Sequence, residues 1–182
     1  MEQGKTSEST FILLCLESLK YILEKNIDPK QQKAEIVELG IHLGDKISNH
    51  LMNSQSSNKA TPSSSQIQTV ISFLGDDIWT YIFDKQAKIS REKISYILET
   101  TNIKFHSFLI SEKSSANDDK LDPTLWFVEG IIKGVFSSFN LECDVSSSFK
   151  RPQTSGDNTD KSSRGIFDPQ YSYIFEITLL ES

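Results

Sequence analysis

The central hydrophobic pattern of the chain runs from Ile67 to Gln86. At about 100° per residue, one broad helical face collects the apolar residues Ile67, Val70, Ile71, Leu74, Ile78, Tyr81 and Ile82. Trp79 and Phe83 lie on its flank, so the pattern predicts a helix buried within a packed domain. Phe73 falls instead among the aspartates of the opposite arc. Two interpretations of Phe73 stay open: a loop of the chain covers it, or it lies on a surface that binds a partner.

A first helix is predicted near the start of the chain. Ser9 or Thr10 can cap it, and residues 1–8 are then expected to form a flexible N-terminus. Its main apolar stripe contains Phe11, Ile12, Cys15, Leu16, Leu19, Ile22 and Leu23. Leu14 and Tyr21 fall nearly opposite that stripe, where a surface helix ordinarily has polar residues. This second apolar face predicts a further contact.

A second helix is predicted from about residue 31 to residue 53. Its apolar residues cover more than half of the circumference, with Ile41 and Met52 at one margin. Gly40 and Gly44 lie side by side within that arc. Because glycine in a helix interior costs roughly 1 kcal/mol relative to alanine, the pair suggests that another backbone approaches closely. The alternative is that a weak helix merely tolerates both glycines.

Alternation of apolar and polar residues replaces the helical period after the central helix. It predicts a β-hairpin with strands at 94–99 and 103–109, joined by a turn at 100–102. A second hairpin is predicted from strands at 141–149 and 171–180, each with one solvated face.

Between the two hairpins, a helix is predicted from Pro123 to about Phe139 and is apolar nearly all round. Gly130 and Gly134 repeat the spacing of the glycines in the second helix, so close helix packing is expected there as well. The order of elements is three helices, a hairpin, a helix and a second hairpin. This order predicts an α+β fold in which helices pack on a four-stranded antiparallel sheet.

The length of 182 residues fits a single domain, which is expected over residues 9–182. Three polar stretches, at 54–65, 111–120 and 150–170, have the composition of solvated loops. A net charge of −6 and a pI near 5.1 argue against nucleic acid as a partner. No basic leader and no long apolar run occur, so the sequence predicts a cytosolic protein.

No arrangement typical of catalysis or of metal binding is present in the sequence. The patterns GxGxxG, GxxxxGK[ST] and GxSxG do not occur. The potential ligands are isolated from one another, and they are His42, His50, His106, Cys15 and Cys143. The paired acids Asp76 and Asp77 point about 100° apart on a helix and do not converge. We therefore predict no catalytic residue, no cofactor and no metal.

Three segments resemble the small subunits of the transport protein particle (TRAPP) complex, most closely the subunit 6 group. Gly40–Ile47 is similar to that family's GxxΦGxxΦ segment, where Φ is aliphatic. Phe73–Gln86 resembles its helix with phenylalanine, tryptophan and an F-K-K-Q ending. Phe127–Gly134 resembles its G-L-I-R-G helix, with Lys133 in place of arginine. The resemblance extends over roughly residues 11–180.

The resemblance implies a non-catalytic scaffold subunit of a vesicle-tethering complex in ER-to-Golgi and Golgi transport. Its partners would be another TRAPP small subunit and the wider complex, which is a nucleotide-exchange factor for a Rab-type GTPase. It would be cytoplasmic and would reach Golgi and transport membranes peripherally, through the complex alone. A sister group carries an acylated cysteine just before its central helix, whereas residues 58–65 of this chain contain none.

Two classes of function are therefore compared. The first is an interaction subunit, paired in a heterodimer through its first two helices, with the candidate interface residues Leu14, Tyr21, Ile41, Met52 and Phe73. The alternative is a small-molecule-binding domain of the vinyl-reductase type, which is similar in fold. Such a domain would enclose a pocket with cysteines or other ligands near it, and this chain has only two cysteines.

Overall fold

The computed structural model describes residues 3–25, 28–54, 66–101, 103, 123–150 and 172–180. Within these residues, helices pack on one face of a four-stranded antiparallel sheet, so the predicted α+β fold class is confirmed. The helices are α1 (Gln3–Glu24), α2 (Pro29–Ser54), α3 (Gln66–Ser72, Phe73–Ile78 and Trp79–Phe83 in continuous succession) and α4 (Pro123–Ser137). The strands are β1 (Lys88–Glu92), β2 (Ser95–Thr101), β3 (Cys143–Lys150) and β4 (Ser172–Leu179).

The sheet has the strand order β1-β2-β4-β3, and every neighbouring pair is antiparallel. Alternate side chains of β2 and β4 are buried on the inner face, including Leu98, Phe175 and Ile177. Helix α3 packs on this face, where the Trp79 and Phe175 ring centroids lie 6.1 Å apart. The Trp79 indole N–H donates to Thr100 Oγ1 at 3.1 Å, which satisfies the one polar group of a fully buried ring.

Two helix starts differ in how closely the sequence predicts them. Helix α2 starts at Pro29, and the Asp28 carboxylate accepts a hydrogen bond from the Lys30 N–H at 3.1 Å. This is the usual cap for a first turn. Helix α1 starts at Gln3, well before the predicted cap at Ser9 or Thr10. Residues 3–8 therefore belong to the helix, although Gly4, Thr6 and Ser7 have low helix propensity.

The first hairpin lies earlier in the chain than predicted. Its strands are β1 and β2, so the segment 94–99 is the second strand and not the first. The predicted turn at 100–102 is wrong at its start, because Thr100 and Thr101 pair with β4. The predicted strand at 103–109 lies outside the described residues apart from Ile103. The pattern misses β1 because this edge strand is exposed except at Ile89, so it shows no apolar alternation.

The segment Phe73–Ile78 of α3 is a π-helix. Its i→i+5 hydrogen bonds insert about one extra residue, so Trp79 and the residues after it rotate by about 100° relative to a uniform helix. Phe73 is the first residue of this segment and lies about 60° from Val70 on the helix, and it is only 2% exposed. Its ring meets that of Phe139 edge-on at 5.7 Å. Phe73 is therefore part of the core, and its assignment to a partner surface is wrong.

Helix backbones approach very closely where α2 meets α4, the pair of elements with the most extensive contact in the fold. A Cβ built on Gly40 or on Gly130 would lie 2.9 Å from the Cα of the other glycine. Added Cβ atoms on Gly44 and Gly134 would overlap the backbone carbonyls of Ile131 and Ile41, respectively. The structure thus brings all four glycines into one contact, where even a methyl group has no space.

We expect Gly134→Ala to lower the free energy of unfolding by roughly 1–3 kcal/mol, which is the usual cost of overpacking. Helix propensity alone predicts a gain of about 1 kcal/mol, so the two effects have opposite signs. The matched control is Gly75→Ala, where the nearest neighbour of the new Cβ is the flexible tip of Ile89 at 2.7 Å. Urea unfolding of both variants decides the question. A neutral or stabilised Gly134→Ala protein would contradict the tight contact.

Candidate partner interface

Helix α1 has one face toward α2 and one face toward solvent. The inward side chains Cys15, Leu19 and Ile22 are buried. On the outward side, Leu13 is 58% exposed, Leu14 61% and Tyr21 63%. We call these three residues the α1 outer face. Large apolar side chains this open on one helix are typical of an interaction surface.

Leu14 and Tyr21 form a stripe along the helix axis. They are seven residues apart, which is close to two turns, so their side chains lie on the same side. Ser18 lies between them and turns its hydroxyl back onto the helix, where it donates to the Leu14 carbonyl at 2.8 Å. The Lys25 ammonium lies 4.9 Å from the centroid of the Tyr21 ring. The stripe therefore has a large apolar side chain at each end and the small Ser18 side chain between them. The Lys25 ammonium lies beside the Tyr21 end.

Side chains of α2 fix the position of α1. Lys25 Nζ lies 3.4 Å from Glu35 Oε2. The Gln32 side-chain amide donates to the Ile22 carbonyl at 3.2 Å, one of the last carbonyls of α1, which have no partner within the helix. These contacts set the direction in which the α1 outer face points. The α1 outer face therefore belongs to a helix that α2 holds in place through these contacts.

The structure does not bring the candidate residues of α2 to the α1 outer face. Ile41 and Met52 are half-buried, and the Ile41 carbonyl lies against Gly134 of α4. At about 100° per residue, Ile41 is about 120° around α2 from Glu35, which contacts α1. Ile41 and Met52 therefore lie at the margin of the α2–α4 contact. Of the predicted interface residues, Leu14 and Tyr21 remain together on one exposed surface.

Leu13 belongs to the exposed surface, although the sequence pattern did not single it out. The signal was available, because Leu13 lies about 100° from Leu14 and far from the buried stripe on a helical wheel. Glu17 and Glu24 occupy the arc between Leu13 and Tyr21, and both are exposed. The α1 outer face thus combines apolar side chains with two carboxylates.

A cleft of about 320 Å³ lies between α3 and β1. Its lining includes Ile71, Ile89, Tyr96, Asp76 and Arg91, and neither cysteine contributes to it. Among the described residues, no group of three or more His, Cys, Asp or Glu side chains could hold a metal ion. Within the same ranges, no helix has the length and apolar content needed to cross a bilayer.

Comparison with known proteins shows which family and which solved structures the chain resembles. A family model for the "Transport protein particle (TRAPP) component" matches residues 11–164. A crystal structure of trafficking protein particle complex subunit 3 from Naegleria fowleri, covalently bound to palmitic acid, superposes with a TM-score of 0.63 at 11% identity and covers 98% of both chains. At this identity the superposition shows a shared fold alone. A mutant structure of T. Tengcongensis H-NOX reaches a TM-score of 0.43 at 13% identity over 97% of both chains, too low to support an argument. No curated protein matches the sequence.

Both thiols of this chain are poorly suited to covalent modification. Burial raises the pKa of Cys15, although Lys46 acts in the opposite direction. Burial also raises the pKa of Cys143 to about 12, and the nearby Lys133 offsets this only in part. The thiolate is the reactive form of cysteine, so a raised pKa suppresses both alkylation and acylation.

We expect native protein at pH 8 to react with iodoacetamide far more slowly than the urea-unfolded protein. For Cys143, the thiolate fraction alone lowers the rate by roughly 10³-fold relative to an ordinary thiol. Intact-mass spectrometry over time measures both rates, and the unfolded protein serves as the control for reagent activity. Rapid alkylation of native Cys143 would show that its thiol is accessible and ionised.

Proposed function

This chain belongs to the family of transport protein particle (TRAPP) components, and we propose that it pairs with another small subunit of the complex through the α1 outer face. The observation that supports this proposal is the exposure of Leu13, Leu14 and Tyr21 on a helix held in place by α2. A helix of the partner would pack along the Leu14–Tyr21 stripe, with Ser18 allowing close approach at its middle.

Burial of the α1 outer face would contribute to pairing, and further contacts of the partner would have to offset the roughly 4–15 kcal/mol that association costs. Complete burial of one large apolar side chain contributes roughly 1.5–3 kcal/mol. The three side chains of the α1 outer face are each more than half exposed, so their burial would contribute several kcal/mol. Glu17 and Glu24, which lie between Leu13 and Tyr21 on α1, would favour a partner helix with basic residues at the matching positions.

We further infer a non-catalytic scaffold role in a vesicle-tethering complex of ER-to-Golgi and Golgi transport. In this role the chain would contribute to the assembly of a nucleotide-exchange factor for a Rab-type GTPase. It would be cytoplasmic and would associate with Golgi membranes only through the complex. The resemblance of Gly40–Ile47, Phe73–Gln86 and Phe127–Gly134 to the subunit 6 group supports this finer assignment.

The small-molecule-binding alternative has less support. The cleft between α3 and β1 is lined in part by polar and charged side chains, including Asp76 and Arg91. Cys15 and Cys143 both lie elsewhere, and burial raises the pKa of each. The features expected of a ligand-holding domain, an apolar pocket with cysteines nearby, do not meet at this cleft.

The pairing is tested with the double variant Leu14→Asp/Tyr21→Asp. Because two carboxylates on the stripe cannot be buried without partners, we expect the partner subunit to be lost from affinity purification of the tagged chain at native expression. The matched control is Ile94→Asp/Leu180→Asp, which introduces the same charges at two other exposed apolar residues, 80% and 51% exposed. The control should retain the partner.

Circular dichroism and thermal melting of both isolated variants complete the test. We expect spectra like that of the wild type, because all four substituted side chains are exposed. Retention of the partner by the Leu14→Asp/Tyr21→Asp protein would refute the α1 interface. Unfolding of this variant alone would show that the two residues stabilise the monomer, which would also contradict the proposal.

A further inference from the structure

A single carboxylate lies at the centre of the α1 outer face. Glu17 is exposed. It follows Leu13 by four residues and Leu14 by three, and it precedes Tyr21 by four. These are the spacings at which side chains of one helix are neighbours on its surface. Glu17 therefore has all three apolar residues of the α1 outer face around it.

Two residues lie between Leu14 and Tyr21, and they differ in what they need from a partner. Ser18 is on the side toward the buried stripe, and its hydroxyl donates to the Leu14 carbonyl at 2.8 Å. Glu17 is on the side toward Leu13, and among the described residues its carboxylate forms no hydrogen bond and no ion pair. A helix that packs on all three apolar side chains would remove this carboxylate from water.

The cations of α1 do not neutralise Glu17 within the chain. Lys20 is exposed and lies about 120° around the helix from Leu14, and it forms no ion pair in the described part of the chain. The Lys25 ammonium is at the end of the helix, where it lies 3.4 Å from a Glu35 carboxylate oxygen of α2. A cation for Glu17 must therefore come from the partner.

Burial of the Glu17 carboxylate sets the chemistry of the facing residue. An unpaired charge removed from water is costly, so the partner needs a lysine or an arginine at the position opposite Glu17. Glu24 is also exposed and lies seven residues after Glu17, on the same side of the helix. A basic partner helix would match both carboxylates.

A second copy of this chain is a poor match for the same surface. In a twofold-symmetric contact, the residue at the centre of the shared surface lies against its own counterpart. Because Glu17 is at the centre of the α1 outer face, two copies would place two carboxylates together where water is excluded. Like charges in that position oppose self-pairing, although the apolar residues around them favour it.

We propose that Glu17 determines which partner the α1 outer face accepts. It selects a subunit with a lysine or an arginine at the facing position, and it prevents pairing with a second copy of the chain. This inference rests on the proposed pairing through α1. The ion pair governs the choice of partner, whereas the apolar side chains around it supply the buried area.

The first test measures how much of the partner subunit co-purifies with variants of the full tagged chain at native expression, by quantitative mass spectrometry. We expect Glu17→Lys to lower recovery of the partner at least about 10-fold, and Glu17→Gln to lower it less, because the amide is neutral. Lys20→Ala should leave recovery unchanged. The control is Glu38→Lys, the same charge change on α2 at a side chain that is 73% exposed, and it should also retain the partner.

Three outcomes separate this inference from the pairing itself. Full recovery with Glu17→Lys, while Leu14→Asp/Tyr21→Asp loses the partner, would overturn the role of Glu17 and leave the pairing intact. Full recovery with Leu14→Asp/Tyr21→Asp would refute the pairing. Loss of the partner with Lys20→Ala would show that Lys20 neutralises Glu17 within the chain, which would contradict the need for a partner cation.

The second test addresses self-pairing directly. The nitrogen-15-labelled wild-type chain is titrated with the unlabelled wild-type chain or with the unlabelled Glu17→Lys protein, which carries an ammonium at the centre of the face. We expect the α1 amide resonances near Leu13 and Tyr21 to shift with the Glu17→Lys protein and not with the wild type. Equal responses to the two proteins, or a wild-type dimer that Leu14→Asp/Tyr21→Asp dissociates, would overturn the proposal.

Discussion

The backbone contact between α2 and α4 is the constraint on which the rest of the fold depends. Four glycines allow the two helices to approach until an added methyl group would overlap a carbonyl or an opposing Cα. Helix α4 consequently lies between α2 and the sheet and is buried on nearly every side. Even Glu129 is only 7% exposed there, with the Ser147 hydroxyl donating to it and Lys33 at 3.8 Å. Helix α1 packs on α2, and its outer face stays exposed.

Much of this architecture follows from the local pattern of apolar and polar residues in the sequence. The α+β class, α2 and α4 could be predicted because apolar periodicity marks helices that bury a wide arc. The four-residue glycine spacing indicated a close approach on each helix, but pattern alone cannot assign which two helices meet. The hairpin was misplaced because β1 buries little. The early start of α1 was missed because Gly4, Thr6 and Ser7 have low helix propensity and do not indicate a helix.

At the candidate interface, some residues could be assigned from the local sequence pattern, whereas others could be assigned only from the tertiary structure. Exposure of Leu14 and Tyr21 follows from their position opposite a buried stripe, which one helix suffices to define. Burial of Phe73 could not be assigned from a helical wheel, because its ring packs against Phe139, a residue distant in the sequence. Ile41 and Met52 lie at the margin of the wide apolar arc of α2. Only the position of α4 shows that this side of α2 contacts another helix of the same chain.

The proposed pairing places the α1 outer face against another subunit of the TRAPP complex. The most direct measurement places a photo-crosslinking benzophenone amino acid at Leu13, which is exposed and takes no part in the core. After irradiation at native expression, mass spectrometry identifies the attached chain. Pairing through the α1 outer face predicts a covalent adduct with one other TRAPP subunit, in good yield and at a defined peptide. An adduct with unrelated proteins alone, or none while an equivalent probe at Leu180 crosslinks to a TRAPP subunit, would contradict it.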